Sequence, residues 1–92
     1  MTDPELAGKV AIVTGGTRGI GAAITLELTR LGAHVAAGFN RDTESAAQLR
    51  AELTAQGSSI SVHQGNVGVP EDCIRVVEEV LSDRRRRLTK GR

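Results

Sequence analysis

Apolar and polar positions alternate between two periods along the 92 residues of this chain. Short apolar runs of strand length occur at Val10–Val13 and over 33–39, with a weaker one over 59–64 in which Ile60, Val62 and Gln64 alternate with polar neighbours. Between them the period lengthens to that of a helix. Ile20, Ile24, Leu28 and Leu31 form one continuous stripe, Ala46, Leu49 and Leu53 a second, and Ile74, Val77 and Leu81 a third, with Cys73 and Val80 beside it. The punctuation agrees: Gly32 and Gly57 stand just past the first two helices, and Asp42 or Thr43 caps the second. Pro70 opens the third, with Glu71 and Asp72 in its first turn. The predicted order is βαβαβα.

Strands separated by helices imply a parallel sheet with right-handed crossovers. The second run is apolar enough to be buried on both faces, and the third suits a sheet edge. The expectation is an α/β architecture, the N-terminal half of a Rossmann-type doubly wound parallel sheet, incomplete because no fourth strand follows. The first two helices are expected on one face and the third on the other. After Leu81 the chain reads Ser-Asp-Arg-Arg-Arg-Arg-Leu-Thr-Lys-Gly-Arg, which cannot be a buried strand. Residues 1–81 are therefore expected to form a partial dinucleotide-binding domain and 82–92 a basic tail. With one side of the first strand unpaired, Val10, Ile12 and Val13 are expected on an open apolar edge, which favours self-association.

Composition sharpens this picture in three places. Phe39 is the sole aromatic residue, and there is no Tyr or Trp. One cysteine, Cys73, excludes an internal disulfide and reads as a small core residue. His34 and His63 have no second ligand nearby in sequence, so no metal site is expected, and Lys9 reads as a surface charge. The acidic N-terminus carries no apolar leader and no run approaches a membrane span, so the expectation is a cytoplasmic protein. The formal charge of +1 conceals an asymmetry, because all eleven acids lie in residues 1–83 and six of the twelve bases lie after them.

The chemistry sits in Val10-Ala-Ile-Val-Thr-Gly-Gly-Thr-Arg-Gly-Ile-Gly21. A buried strand that delivers a glycine-rich turn to a helix N-terminus is a phosphate-binding device. Gly15 and Gly16 are expected to permit the tight turn, and Gly19 and Gly21 the close approach of helix, strand and ligand. Written as Thr14-Gly15-x-x-x-Gly19-x-Gly21, with Thr17, Arg18 and Ile20 between, the loop resembles that of the short-chain dehydrogenase/reductase family over about residues 9–81. The resemblance is closest to the 3-oxoacyl-acyl-carrier-protein and acetoacetyl-CoA reductase branch. It implies a dinucleotide cofactor held by Gly15, Thr17, Arg18, Gly19, Ile20 and Gly21, by Asn40 and Arg41, and by Asn66 and Val67.

The choice of cofactor turns on the end of the second strand. An acid there serves the ribose hydroxyl of NAD, whereas this chain has Phe39-Asn40-Arg41 and no acid until Asp42. A guanidinium pairs with a 2′-phosphate, so Arg41 and Arg18 point to NADP. Arg41 alone also reads as a solvated loop arginine. Asn66, in Gly65-Asn66-Val67-Gly68, can address an adenine edge or simply hold a turn.

The family reduces a ketone with hydride from the nicotinamide and a proton from a tyrosine, supported by lysine, serine and asparagine. Without a tyrosine this chain has no catalytic residue of that kind. The expectation is the N-terminal part of an NADP-dependent ketone reductase, with a cofactor half-site and NADPH as partner. The alternative is a non-catalytic nucleotide-binding module that associates with itself or docks on a full-length relative. Nucleic-acid binding through the arginine run is disfavoured, since nothing aromatic offers stacking and residues 1–83 are net acidic.

Overall fold

The computed structural model describes residues 5–90, with side chains described through Arg86. The elements are β1 (Val10–Val13), α1 (Gly19–Arg30), β2 (His34–Phe39), α2 (Thr43–Ala55), β3 (Ile60–Gln64) and α3 (Pro70–Lys90). The strands form one parallel sheet in the order β1-β2-β3, with Val10 opposite His34 and Val35 opposite Ile60. The predicted order and half-fold are present, and β1 and β3 are the sheet's two edges.

Period-two alternation divides β2 between two faces. Ala33, Val35 and Ala37 are almost wholly buried and pack with Val13, Leu28 and Val62 on the α1 side. α2 lies against β3 on that same side, as two right-handed crossovers in one direction require, and buries Ala46, Leu49 and Leu53. The opposite face carries Ile12, His34, Gly38, Ser61 and His63, and α3 crosses it. Turn chemistry follows the sequence: Asp42 caps α2 by accepting from the Ser45 backbone N–H at 3.0 Å, and Gly32 and Gly57 follow the ends of α1 and α2.

Two sequence expectations need correction. On α1, Ile20 is 82% exposed and Ile24 46%, while Thr25 is the buried residue, its hydroxyl donating to Gly16 O at 2.9 Å. The helix sits too close to the glycine turn for a large side chain at its contact point. On α3, Ile74, Val77 and Leu81 are exposed and Val80 is the buried residue, because the helix meets the sheet along a narrow line near β3. α3 runs through the basic segment to Lys90. Arginine is a good helix former, and an Asp83–Arg86 pair bridges one turn of this segment. Of the basic segment, residues 91–92 lie outside the described residues.

Candidate functional site

Three loops meet at the C-terminal ends of the parallel strands, where ligands of open α/β sheets bind. The first is the glycine turn after β1. Gly15 (φ +65°) and Gly19 (φ +59°) occupy the left-handed region, so these two supply the turn's conformational freedom. Gly16 and Gly21 matter for space instead. A Cβ on Gly21 would lie 1.8 Å from Gly15 O, and one on Gly16 would meet Val13 O at 2.8 Å and Thr25 Oγ1 at 2.9 Å. The roles expected of Gly16 and Gly19 are thus exchanged. The Gly16 N–H donates to Gly38 O at 3.0 Å, pinning the loop to β2.

The N-terminus of α1 differs from those of α2 and α3. Its N-cap, Arg18, is extended (φ −156°) with no side-chain cap, and its first turn holds no acid. The first N–H of that terminus with an intrahelical partner is Ala22, bonded to Arg18 O at 3.1 Å. The preceding N–H groups are aimed out of the helix with the positive end of its dipole, as an anion requires. α2 has Asp42 at the same place, and α3 has Glu71 and Asp72.

The second loop follows β2. The Asn40 carbonyl accepts from Gln64 Nε2 at 2.9 Å, tying the ends of β2 and β3 together, and Arg41 is exposed. Arg18 reaches across from the first loop, its Nη1 3.5 Å from Asp42 Oδ2. The Asp42 carboxyl is held below its ordinary range by the Ser45 backbone N–H first, then by the Ser45 hydroxyl, with Arg18 a smaller contribution against slight desolvation. This rim is therefore an anchored carboxylate with an exposed guanidinium beside it.

The third loop carries Asn66 and Val67. Asn66 Oδ1 accepts from Gly68 N–H at 2.8 Å, which holds a tight turn. Asn66 N–H donates to Asp72 Oδ2 at 2.9 Å. Cys73, expected in the core, is exposed, with its thiol 3.5 Å from Val67 O. It stands at the start of α3, over the loop rather than over the sheet.

A cleft of about 270 Å³ opens between the loops. Of the residues singled out by sequence, Gly15, Asn40, Asn66 and Val67 line it, together with Thr14, Gly38, Phe39, Ile12, His63, Cys73 and Val77. Gly19, Gly21, Arg18, Ile20 and Arg41 stand outside its walls, and Thr17 is buried behind the turn. Sequence reading missed Gln64, Asp72 and Arg75, which hold the loops in place; the one signal was Asp72 in the first turn of α3. Among the described residues no three His, Cys, Asp or Glu side chains are grouped to hold a metal, and no helix is long and apolar enough to cross a membrane.

A parallel βαβαβα sheet with an uncapped helix behind a glycine turn, and a cleft at its C-terminal edge, defines a nucleotide-binding α/β fold. Residues 9–87 match the short chain dehydrogenase family, and the chain belongs to that family. It is 43% identical over 77 residues to tetrahydroxynaphthalene reductase of Pyricularia oryzae, covering 84% of this chain and 27% of that protein. Two solved structures superpose closely. A blue fluorescent protein from a metagenomic library, in complex with NADPH, gives a TM-score of 0.82 at 37% identity over 86% of this chain and 33% of its own. A short chain dehydrogenase of Burkholderia cenocepacia, in complex with NADP, gives 0.80 at 37% identity over 86% and 32%. The chain thus spans a third or less of the length of these relatives.

Proposed function

We propose that this chain is the cofactor-holding part of an NADP-dependent oxidoreductase, binding the adenosine and phosphate portion of NADPH. The observation that carries the reading is the α1 N-terminus, uncapped and free of acids behind a four-glycine loop whose Gly15 lines the cleft, with Arg18 and Arg41 outside the cleft's walls and no acid at position 40. In this reading Gly15, Thr17, Gly19, Ile20 and Gly21 bring the backbone N–H groups to the pyrophosphate. Arg41 and Arg18 pair with the 2′-phosphate, Arg18 leaving Asp42, which keeps its two Ser45 bonds. Asn40, Asn66 and Val67 flank the base. Two structural relatives named for NADPH and NADP complexes support the choice of cofactor.

The parent reaction in this reading is reduction of a ketone. The resemblance of the loop favours a 3-oxoacyl or acetoacetyl-CoA substrate, while the curated relative is named for a hydroxynaphthalene. This chain itself has no tyrosine to supply the proton, so it binds cofactor without reducing ketones. Titration with NADPH and NADH tests the reading: NADPH is expected to bind at least about tenfold tighter, a difference of one charge-assisted phosphate contact, and Arg41→Ala to erase most of the gap. Equal affinities for the two would remove NADP from the proposal.

A second reading, a docking module, is favoured by one observation. Ile12 on the edge strand, Ile20 and Ile24 on α1, and Ile74, Val77 and Leu81 on α3 are all exposed. That much apolar surface supports association with a second copy or a longer relative. Sedimentation as a monomer at high concentration would count against it.

A further inference from the structure

The loop that carries Asn66 and Val67 is not self-supporting. α3 holds it from beneath through Arg75, whose Nη2 donates to Gln64 O at 2.7 Å and whose Nη1 donates to Glu79 Oε2 at 2.8 Å. The same guanidinium lies 3.8 Å from Asp72 Oδ1, and the other oxygen of Asp72 receives the Asn66 N–H. Gly65 is pressed against the same place: a Cβ there would meet Val76 at 3.1 Å and Arg75 Nη2 at 3.5 Å.

Glu79 in turn fixes the helix to the sheet. Its Oε1 is 2.8 Å from Nδ1 of the buried His63, whose Nε2 is 2.7 Å from Ser61 Oγ, itself 3.2 Å from His34 Nε2. One proton arrangement satisfies the chain throughout: His34 Nε2–H donates to Ser61, Ser61 O–H to His63 Nε2, and His63 Nδ1–H to Glu79. Arg75 is where this strut, anchored across two strands, meets the loop. It lies outside the cleft, so its contribution passes through other residues.

We infer that Arg75 is a positioning residue for nucleotide binding: by bridging Glu79, Asp72 and the Gln64 carbonyl, it sets the place of the Asn66–Val67 loop against the base. The inference rests on the nucleotide reading above and goes beyond it, since neither the glycine loop nor the phosphate-facing arginines require Arg75. Its consequence is selective. Loss of Arg75 loosens the base-facing loop and leaves the α1 N-terminus as it was.

The test uses two probes that divide the site, adenosine 2′-monophosphate for the base and 2′-phosphate, and inorganic pyrophosphate for the glycine loop. Each is titrated by NMR into the full chain and into Arg75→Met and Arg75→Lys. Arg75→Met keeps the aliphatic stem and loses every donor, so nucleotide affinity is expected to fall about fivefold, the worth of one lost hydrogen bond, with pyrophosphate affinity unchanged. The Asn66 amide is expected to exchange faster. Arg75→Lys, which keeps the charge and three donors but not the planar fork that spans Glu79 and the Gln64 carbonyl, is expected to recover part of the loss. If the unaltered chain binds neither probe, or pyrophosphate alone, the nucleotide reading falls and this inference with it. If it binds the nucleotide and Arg75→Met binds it equally well, the inference alone is overturned. A parallel loss of both probes overturns it too, since that makes Arg75 merely structural.

Discussion

The two faces of the sheet are built by different means. On the α1–α2 face, Ala33, Val35 and Ala37 pack with Leu6, Val13, Val62 and Leu28 of α1, and Leu53 of α2 is 1% exposed. On the α3 face the helix is tied down by hydrogen bonds through His34, Ser61, His63, Glu79 and Arg75, while Ile74, Val77 and Leu81 remain in solvent. Apolar burial scales with area and supplies most of a domain's stability, whereas an intramolecular hydrogen bond nets about 0.5–1.5 kcal/mol. The polar strut therefore specifies where α3 sits more than it holds the fold together. It also delivers α3 to the loop that walls the cleft. One face stabilises the molecule and the other positions the site.

The largest expected effect lies on the apolar face. Leu53→Ala removes a fully buried side chain and is expected to cost about 2–5 kcal/mol, comparable with the whole stability of a small domain. Circular dichroism of the variant should show a melt lowered drastically or abolished. His63→Ala on the other face cuts the strut between Ser61, which keeps His34, and Glu79, which keeps Arg75, and is expected to cost less, about 1–3 kcal/mol. Hydrogen exchange should show faster opening of α3 with α1 and α2 little changed. Equal damage from the two substitutions, spread over all three helices, would erase the contrast between the faces.

The contrast was only half legible in the sequence. Element order, the parallel sheet and the Asp42 cap follow from periodicity and turn residues, which act locally. So does the glycine loop, because left-handed turns and close backbone contacts leave few other choices at Gly15, Gly19 and Gly21. What periodicity cannot report is which apolar stripe finds a cover. The α3 stripe, and Ile20 and Ile24 of the α1 stripe, are right in period and wrong in burial, while Leu28 packs on the core, for the contacts they meet depend on the helices' approach to the sheet. Cys73 failed for the same reason. The polar strut was illegible for another: His34 and His63 lie 29 positions apart and converge only because Gly38 pairs with His63 and Ala36 with Ser61. The single local clue was Ser61 and His63 two apart on one strand face.

The smallest effect sharpens the comparison by pH. Glu79 is held below the ordinary carboxylate range chiefly by its hydrogen bond from His63, then by Arg75, against a modest desolvation. A carboxyl with its folded value lowered contributes stability above its unfolded value, about pH 4.3, and loses that contribution as pH falls through the folded value. Acidification from pH 6 towards pH 3 should therefore loosen α3, seen as lower amide protection factors there once the slower intrinsic exchange in acid is divided out. Since Glu79 is partly exposed, the loss is screened and small. Asp42 is lowered as well, but by Ser45 at the start of α2, so its protonation frays a different helix. Glu79→Gln separates the two. It cannot titrate, so in that variant the acid response of α3 is expected to be smaller than in the unaltered chain while the α2 terminus still responds to acid. If α3 in the variant keeps the full acid response, the strut through His63 and Glu79 is not what fastens it to the sheet.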